Sequence, residues 1–450
     1  MVRSASLMLG GILLLGGANL VHADGLYAPD ASSDISVSPA MYGVFSRVPE
    51  NWSDLPFQLK LRETAGYNSN VISTPQTSTG GVTVFGHPVG SLVSISDFGA
   101  ATKAYWEGQQ FFADGSIGIY RYFSDANLNS LSNSFDLGDN WTYGARCSGQ
   151  LIASERTYPS EPGQQIGFNV KNRVTTISFN ETGKCLATSN YALIFNSGVT
   201  RTTNSATGVN SLSSAVSEQL NSSNNNQSVF IAAGISYAVS NTNSLELLAT
   251  VTGTNYTNRQ VALTSQGLQN DIVENQINLT YTKNFSPNLA LTASAGLVGV
   301  RNGSFSLEPA RGFDPVYSAQ VSWVATPKLT LSGTASRTVS PATSVLANLQ
   351  VTESANFGLT YGLTPKVVFA ANASASRSSG FNGSPNSLIV NPIDQQFAAP
   401  STTYSANASV NYAITPFVTA NLSYTHTRTV QADFVTPSDV VLLALTFNPY

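Results

Sequence analysis

The stretch Leu359-Thr360-Tyr361-Gly362-Leu363-Thr364-Pro365-Lys366-Val367-Val368-Phe369-Ala370-Ala371-Asn372 decides the fold. A Thr-Pro-Lys triplet separates two segments that alternate apolar with small polar residues. Proline locks φ near the value that the second residue of a tight turn needs. Past the turn, Val367, Phe369, Ala371 and Ala373 alternate with Asn372, Ser374 and Ser376. That period of two is the mark of a strand with two unlike faces. The unit recurs as Ser286-Pro287-Asn288, Thr326-Pro327-Lys328 and Thr415-Pro416-Phe417. An aromatic stands shortly before each turn: Tyr281, Trp323, Tyr361 and Tyr412. The pattern reads as strand, tight turn, strand.

Composition narrows what such strands can build. Charged residues make up 10% of the 450-residue chain, against roughly 25% in soluble globular domains. Mean hydropathy is +0.00, so Ser, Thr, Asn, Gln and Gly have replaced charge. A wall with one face in lipid and one in water has this mixture. Beyond the N-terminus no run approaches the roughly 18 apolar residues of a membrane helix. Lipid satisfies no backbone group, so strands that span it must close into a barrel. The polar members of each dyad are hydroxyls and amides, as in Thr330, Ser332, Thr334 and Ser336 against Leu329, Leu331, Gly333 and Ala335. This is the apolar-out, polar-in pattern of a membrane barrel.

Residues 1–23 have the form of a secretory signal peptide: Arg3, an apolar core from Leu7 to Leu15, and Val21-His22-Ala23 before the cut. Its removal leaves 20 bases against 25 acids, or −5. That balance carries no nucleic-acid footprint. Residues 24–57, with Pro29, Pro39, Pro49 and Pro56, form a periplasmic lead-in or a short plug. Residues 58–450 form the barrel.

The expected fold is all-β: a single antiparallel transmembrane barrel of about 18 strands, within roughly 14–18. If the last strand ends in the periplasm, every Ser/Thr-Pro turn is periplasmic. Long stretches near 198–226, 257–271, 302–313, 340–349 and 378–401 then fall outside, and the four aromatics form the periplasmic girdle. A strand near 166–180 is expected to turn at Glu181-Thr182-Gly183-Lys184, with the next strand rising from Cys185. Cys147 and Cys185, the only cysteines, then each follow a periplasmic turn, two strands apart. That separation is about 9.6 Å, beyond the Cα limit of about 7 Å for a bridge. Inward bending of turn ends and export to an oxidising compartment favour a disulfide; two separate thiols are the alternative.

The motifs Tyr67-Asn68-Ser69-Asn70-Val71, Tyr120-Arg121-Tyr122-Phe123-Ser124-Asp125, Trp141 with its Gly-x-Arg turn, and the Leu/Ile-Thr-Pro turns resemble a known family. These are the type-2 β-barrel porins of the outer membrane, often found with exopolysaccharide or capsule systems. The resemblance runs over most of the mature chain and brings no catalytic residues. It implies an outer-membrane location, with membrane lipid and the barrel assembly machinery as partners. It also implies a polysaccharide, or the complex that exports it, as a further partner. The last apolar stripe, Val441, Leu443, Leu445 and Phe447, is displaced from the terminal aromatic by Asn448-Pro449.

No motif for a cofactor or metal is present, and no enzyme is expected. Zinc needs three or four converging ligands, and no such His/Cys/Asp/Glu cluster occurs in the sequence. His426 at the outer end of a strand reads as an interfacial residue; as the base of a lipid hydrolase it is the weaker alternative. A lumen of Ser, Thr, Asn and Gln suits neutral hydroxylated solutes, and charge rings are not evident. The functional reading is a channel or export component for polar solutes, with polysaccharide implied by the resemblance. The alternative is a non-conducting barrel that acts through its outer loops.

Overall fold

The computed structural model describes residues 57–70, 76–77, 90–124, 126, 129–160, 171–207, 225–257, 271–302, 313–341, 349–381, 400–431 and 434–448. The signal-peptide, lead-in and plug readings lie outside these residues. The strands are β1 (Phe57–Asn68), β2 (Gln76–Thr77), β3 (Ser91–Trp106), β4 (Gln109–Tyr122), β5 (Ser130–Tyr143), β6 (Cys147–Ser160) and β7 (Lys171–Leu186). There follow β8 (Tyr191–Thr207), β9 (Asn226–Ser240), β10 (Asn243–Tyr256), β11 (Asp271–Ser286), β12 (Leu289–Asn302) and β13 (Asp314–Thr326). The last are β14 (Leu329–Pro341), β15 (Leu349–Thr364), β16 (Val367–Phe381), β17 (Ser401–Ala413), β18 (Val418–Gln431) and β19 (Phe434–Phe447).

Apart from the two-residue β2, each strand pairs antiparallel with its sequence neighbours. β1 closes the sheet by pairing β3 on one side and β19 on the other, with Leu61 opposite Phe447 and Tyr67 opposite Val441. The result is a closed antiparallel barrel of eighteen long strands. Closure leaves no row of unpaired backbone groups at a sheet edge. No helix among the described residues is long and apolar enough to cross a membrane.

Directly opposed residues share a face and successive residues alternate, so one exposed row fixes every face. Leu193, Ile235, Leu247 and Leu279 stand opposite one another in turn and are exposed. The outward set so defined is apolar through most of β9 to β19, ending in Val441, Leu443, Leu445 and Phe447. In the first half, Glu63, Asp139 and Glu181 interrupt it. Ser94 donates to the Glu63 carboxylate at 3.0 Å.

One end of the barrel carries the short connections. At all four Ser/Thr-Pro turns the hydroxyl before the proline accepts from the backbone N–H two residues on. Ser286 accepts from Asn288 at 3.2 Å, and Thr326 from Lys328 at 3.3 Å. Thr364 accepts from Lys366 and Val367, and Thr415 from Phe417 and Val418. The hydroxyl stands in for a backbone acceptor, and that is the physical content of the repeated motif. The β3–β4 turn uses Glu107 and Gly108 instead, both at positive φ (44° and 87°). Two such residues match the twist of the paired strands.

The sequence reading fails between β6 and β9. Glu181-Thr182-Gly183-Lys184 is not a turn; it lies inside β7, with Gly183 opposite Gly149. A Cβ on Gly183 would collide with the Phe195 ring, so this glycine marks close packing rather than a bend. The chain turns at 187–190, where Thr188 Oγ1 accepts from Asn190 and Tyr191. Strand β8 then continues to Thr207, well into the stretch expected to be loop.

Candidate functional site

Among the described residues the closed sheet encloses the barrel interior, and its lining follows from register. From β12 to β18 the inward residues are almost all neutral. They include Thr292 and Ser294, then Ser318 and Gln320, Thr330 to Thr338 at alternate positions, Asn356, Asn372, Asn407, Asn421 and Thr427. Neighbouring strands link these groups: Ser294 to Ser318 at 2.7 Å, Ser336 to Ser354 at 2.8 Å, and Asn421 Nδ2 to Asn411 Oδ1 at 2.7 Å. Such a wall offers many donors and acceptors and, apart from Asp314 at the long-connection end of β13, no fixed charge.

The opposite arc differs. Lys60 and Arg62 on β1, Asp97 on β3, Asp114 on β4, Asp136 on β5 and Arg156 on β6 all face inward. Arg62 stands opposite Asp97, and Asp114 opposite Asp136. Arg156 Nη2 lies 3.7 Å from Asp136 Oδ1. Lys60, Asp97 and Asp136 are 4%, 6% and 5% exposed. Gly118 leaves the room that Asp97 needs, since a Cβ there would meet its carboxylate. Three bases and three acids therefore stand side by side on this arc, and Lys103 on β3, Lys184 on β7, Glu246 on β10, Glu274 on β11 and Asp314 on β13 also face inward. Sequence reading missed this arc. The signal was the parity of those charges within their strands, which requires the pairing register to be known.

Toward the end with the long connections the inward face turns apolar. Val93, Ile95, Tyr120 and Val440 form one buried cluster. Tyr256, Ile272, Val298, Val300 and Val316 belong to another. Both clusters lie on the inward face at that end.

The residues singled out in the sequence are dispersed. Pro287, Pro327, Pro365 and Pro416 lie in four connections at the short-turn end. Tyr281, Trp323, Tyr361 and Tyr412 face outward above them, opposite Ala293, Leu289 and Leu331, Phe369, and Val367 respectively. Cys147 and Cys185 are not two strands apart. They oppose each other directly on β6 and β7, with Cα atoms 4.1 Å apart and their sulfur atoms joined. The change follows from the missing turn at 181–184. His426 faces outward on β18. Its Nδ1 is 2.8 Å from Asp439 Oδ1, and the Tyr424 hydroxyl donates to the same oxygen at 2.6 Å. Among the described residues no three His, Cys, Asp or Glu side chains could hold a metal.

Residues 306–448 match the family model described as "Putative beta-barrel porin 2". The matched segment holds the Thr326, Thr364 and Thr415 turns, while the motifs at Tyr67, Tyr120 and Trp141 lie outside it. Solved structures similar in fold include the FrpB iron transporter of Neisseria meningitidis (10% identity, TM-score 0.45, 84% of this chain and 62% of that one). This chain thus spans less than two thirds of FrpB. Pseudomonas aeruginosa OccK2 (OpdF), solved with glucuronate, is also similar (10% identity, TM-score 0.45, 88% and 98%). A third is the siderophore receptor PirA of the same species (11% identity, TM-score 0.41, 87% and 80%). No curated protein matches the chain. A closed eighteen-strand barrel with an apolar outward face, matched to a porin family, is an outer-membrane protein.

Proposed function

We propose that the chain forms an outer-membrane channel for neutral polar solutes. The observation that carries this reading is the continuous hydroxyl and amide lining from β12 to β18. Barrels of about 16–18 strands are wide enough to leave an aqueous interior. A neutral wall exchanges hydrogen bonds with a hydroxylated solute without holding it by charge. The short-turn end is periplasmic in this proposal, because bacterial barrels keep short turns there and long loops outside. Tyr281, Trp323, Tyr361 and Tyr412 then make the periplasmic girdle. β19 is the strand that the assembly machinery reads, and Cys147 and Cys185 are oxidised on export. Exopolysaccharide, or the complex that exports it, is the cargo or partner that the family resemblance suggests. Liposome swelling tests the reading. Vesicles containing the folded protein swell in isotonic glucose and oligosaccharide. Swelling no faster than in protein-free vesicles contradicts it.

The buried apolar clusters at the long-loop end favour a second reading, in which the outer mouth stays shut and the barrel acts as a surface. In that case the swelling is absent although the barrel is folded.

A further inference from the structure

Among the described residues seven arginines face outward in the half of the barrel nearest the long loops: Arg121, Arg173, Arg201, Arg301, Arg337, Arg377 and Arg428. Three of them cluster. Arg337, Glu353 and Arg377 stand directly opposite one another on β14, β15 and β16. The two arginines are therefore two strand spacings apart, about 9.6 Å. Arg428 on β18 stands opposite Tyr404, whose strand lies between β16 and β18. Arg377 and Arg428 are exposed. Below them the outward face is apolar: Phe357, Leu359 and Tyr361 on β15, and Val410 and Tyr412 on β17. Eight residues separate Glu353 from Tyr361. That is about 26 Å along the strand, or about 20 Å along the membrane normal at a tilt of about 40°. The arginines thus sit where the hydrocarbon layer ends and the headgroups begin.

We propose that Arg337, Arg377 and Arg428 form a docking surface for the phosphates of a phosphorylated glycolipid of the outer leaflet. Guanidinium groups match phosphate with paired N–H donors and are always charged. Among the described residues two acids face the cluster. Glu353 lies 3.6 Å from Arg337 Nε and competes with the lipid. Asp439 is held by His426 and Tyr424, which leaves Arg428 less opposed. Arg337 also donates to the Pro315 carbonyl, which orients its fork. Tyr317 opposite Arg337 and Tyr404 opposite Arg428 frame the surface with interfacial rings. The proposal rests on the orientation proposed above, with the long loops outside.

The folded protein in detergent is mixed with bisphosphorylated lipid A or with the same lipid stripped of phosphate. Bound lipid is then counted by native mass spectrometry. The phosphorylated form is retained, and R337Q/R377Q/R428Q lowers its retention by about tenfold or more, as expected for lost charge-assisted bonds. Glu353→Gln removes the competing carboxylate and raises retention. K328Q/K366Q, at the opposite end, leaves it unchanged. Equal retention by the wild type and the triple variant, or equal retention of the phosphate-free lipid, overturns the proposal. The assay needs no open pore, so its failure is separate from failure of the channel. Maleimide labelling of Thr402→Cys on intact cells reads the orientation; absence of labelling removes the outer leaflet as the source.

Discussion

The rings of Trp141 and Phe195 stack across the outside of the barrel, centroids 6.4 Å apart and planes 23° from parallel. The two residues belong to β5 and β8, separated by two intervening strands. They meet because Gly149 and Gly183 stand between them in one row, and neither carries a side chain. Next to this row lies the Cys147–Cys185 pair, in register with Tyr143 and Leu193. A glycine pair, an aromatic bridge and a cysteine pair together hold β5 to β8 at the short-turn end.

Gly183→Ala places a methyl group in the Phe195 ring. Overpacking of this kind costs about 1–3 kcal/mol. Urea unfolding of the barrel in micelles should show a lower midpoint for this variant. Gly253→Ala is the control, since nothing lies within 4 Å of its built Cβ, and it should unfold like the wild type. Equal midpoints for all three proteins contradict the packing described.

The cysteine pair closes a loop of sequence separation 38. Loss of the cross-link frees chain entropy worth up to roughly 4 kcal/mol in the unfolded state. C147S/C185S should therefore unfold at lower urea, and by a similar shift to that produced by reductant on the wild type. Thiol counting on denatured, unreduced protein should find none. Two free thiols would exclude the bridge.

The charged arc makes a prediction about ions. Lys60, Arg62 and Arg156 offset Asp97, Asp114 and Asp136 along one side of the lumen. D97N/D114N/D136N leaves three bases unopposed. In a salt gradient its reversal potential should move toward anion selectivity. An unchanged reversal potential would mean that ions do not pass this arc.

Much of the barrel was legible because its second half repeats one physical device. Thr364, Thr326, Ser286 and Thr415 each cap a turn through a hydroxyl, and the strands between them keep a strict dyad. The eighteen long strands and their up-and-down order follow from that alternation. Reading failed at Gly183, where a Thr-Gly-Lys sequence looks like a turn and a distant ring, Phe195, decides otherwise. Cys147 and Cys185 were misplaced for the same reason. The lumenal charges were visible as residues, yet their common face was not. Arg62 and Asp97 are 35 positions apart, and only the β1–β3 register sets them opposite each other.

The central claim is that the neutral wall from β12 to β18 lines an open path. Planar-bilayer recording of the purified, folded barrel tests it most directly. Discrete conductance steps, reduced when a neutral oligosaccharide is added, are the predicted result. A folded barrel that inserts and gives no conductance would contradict it.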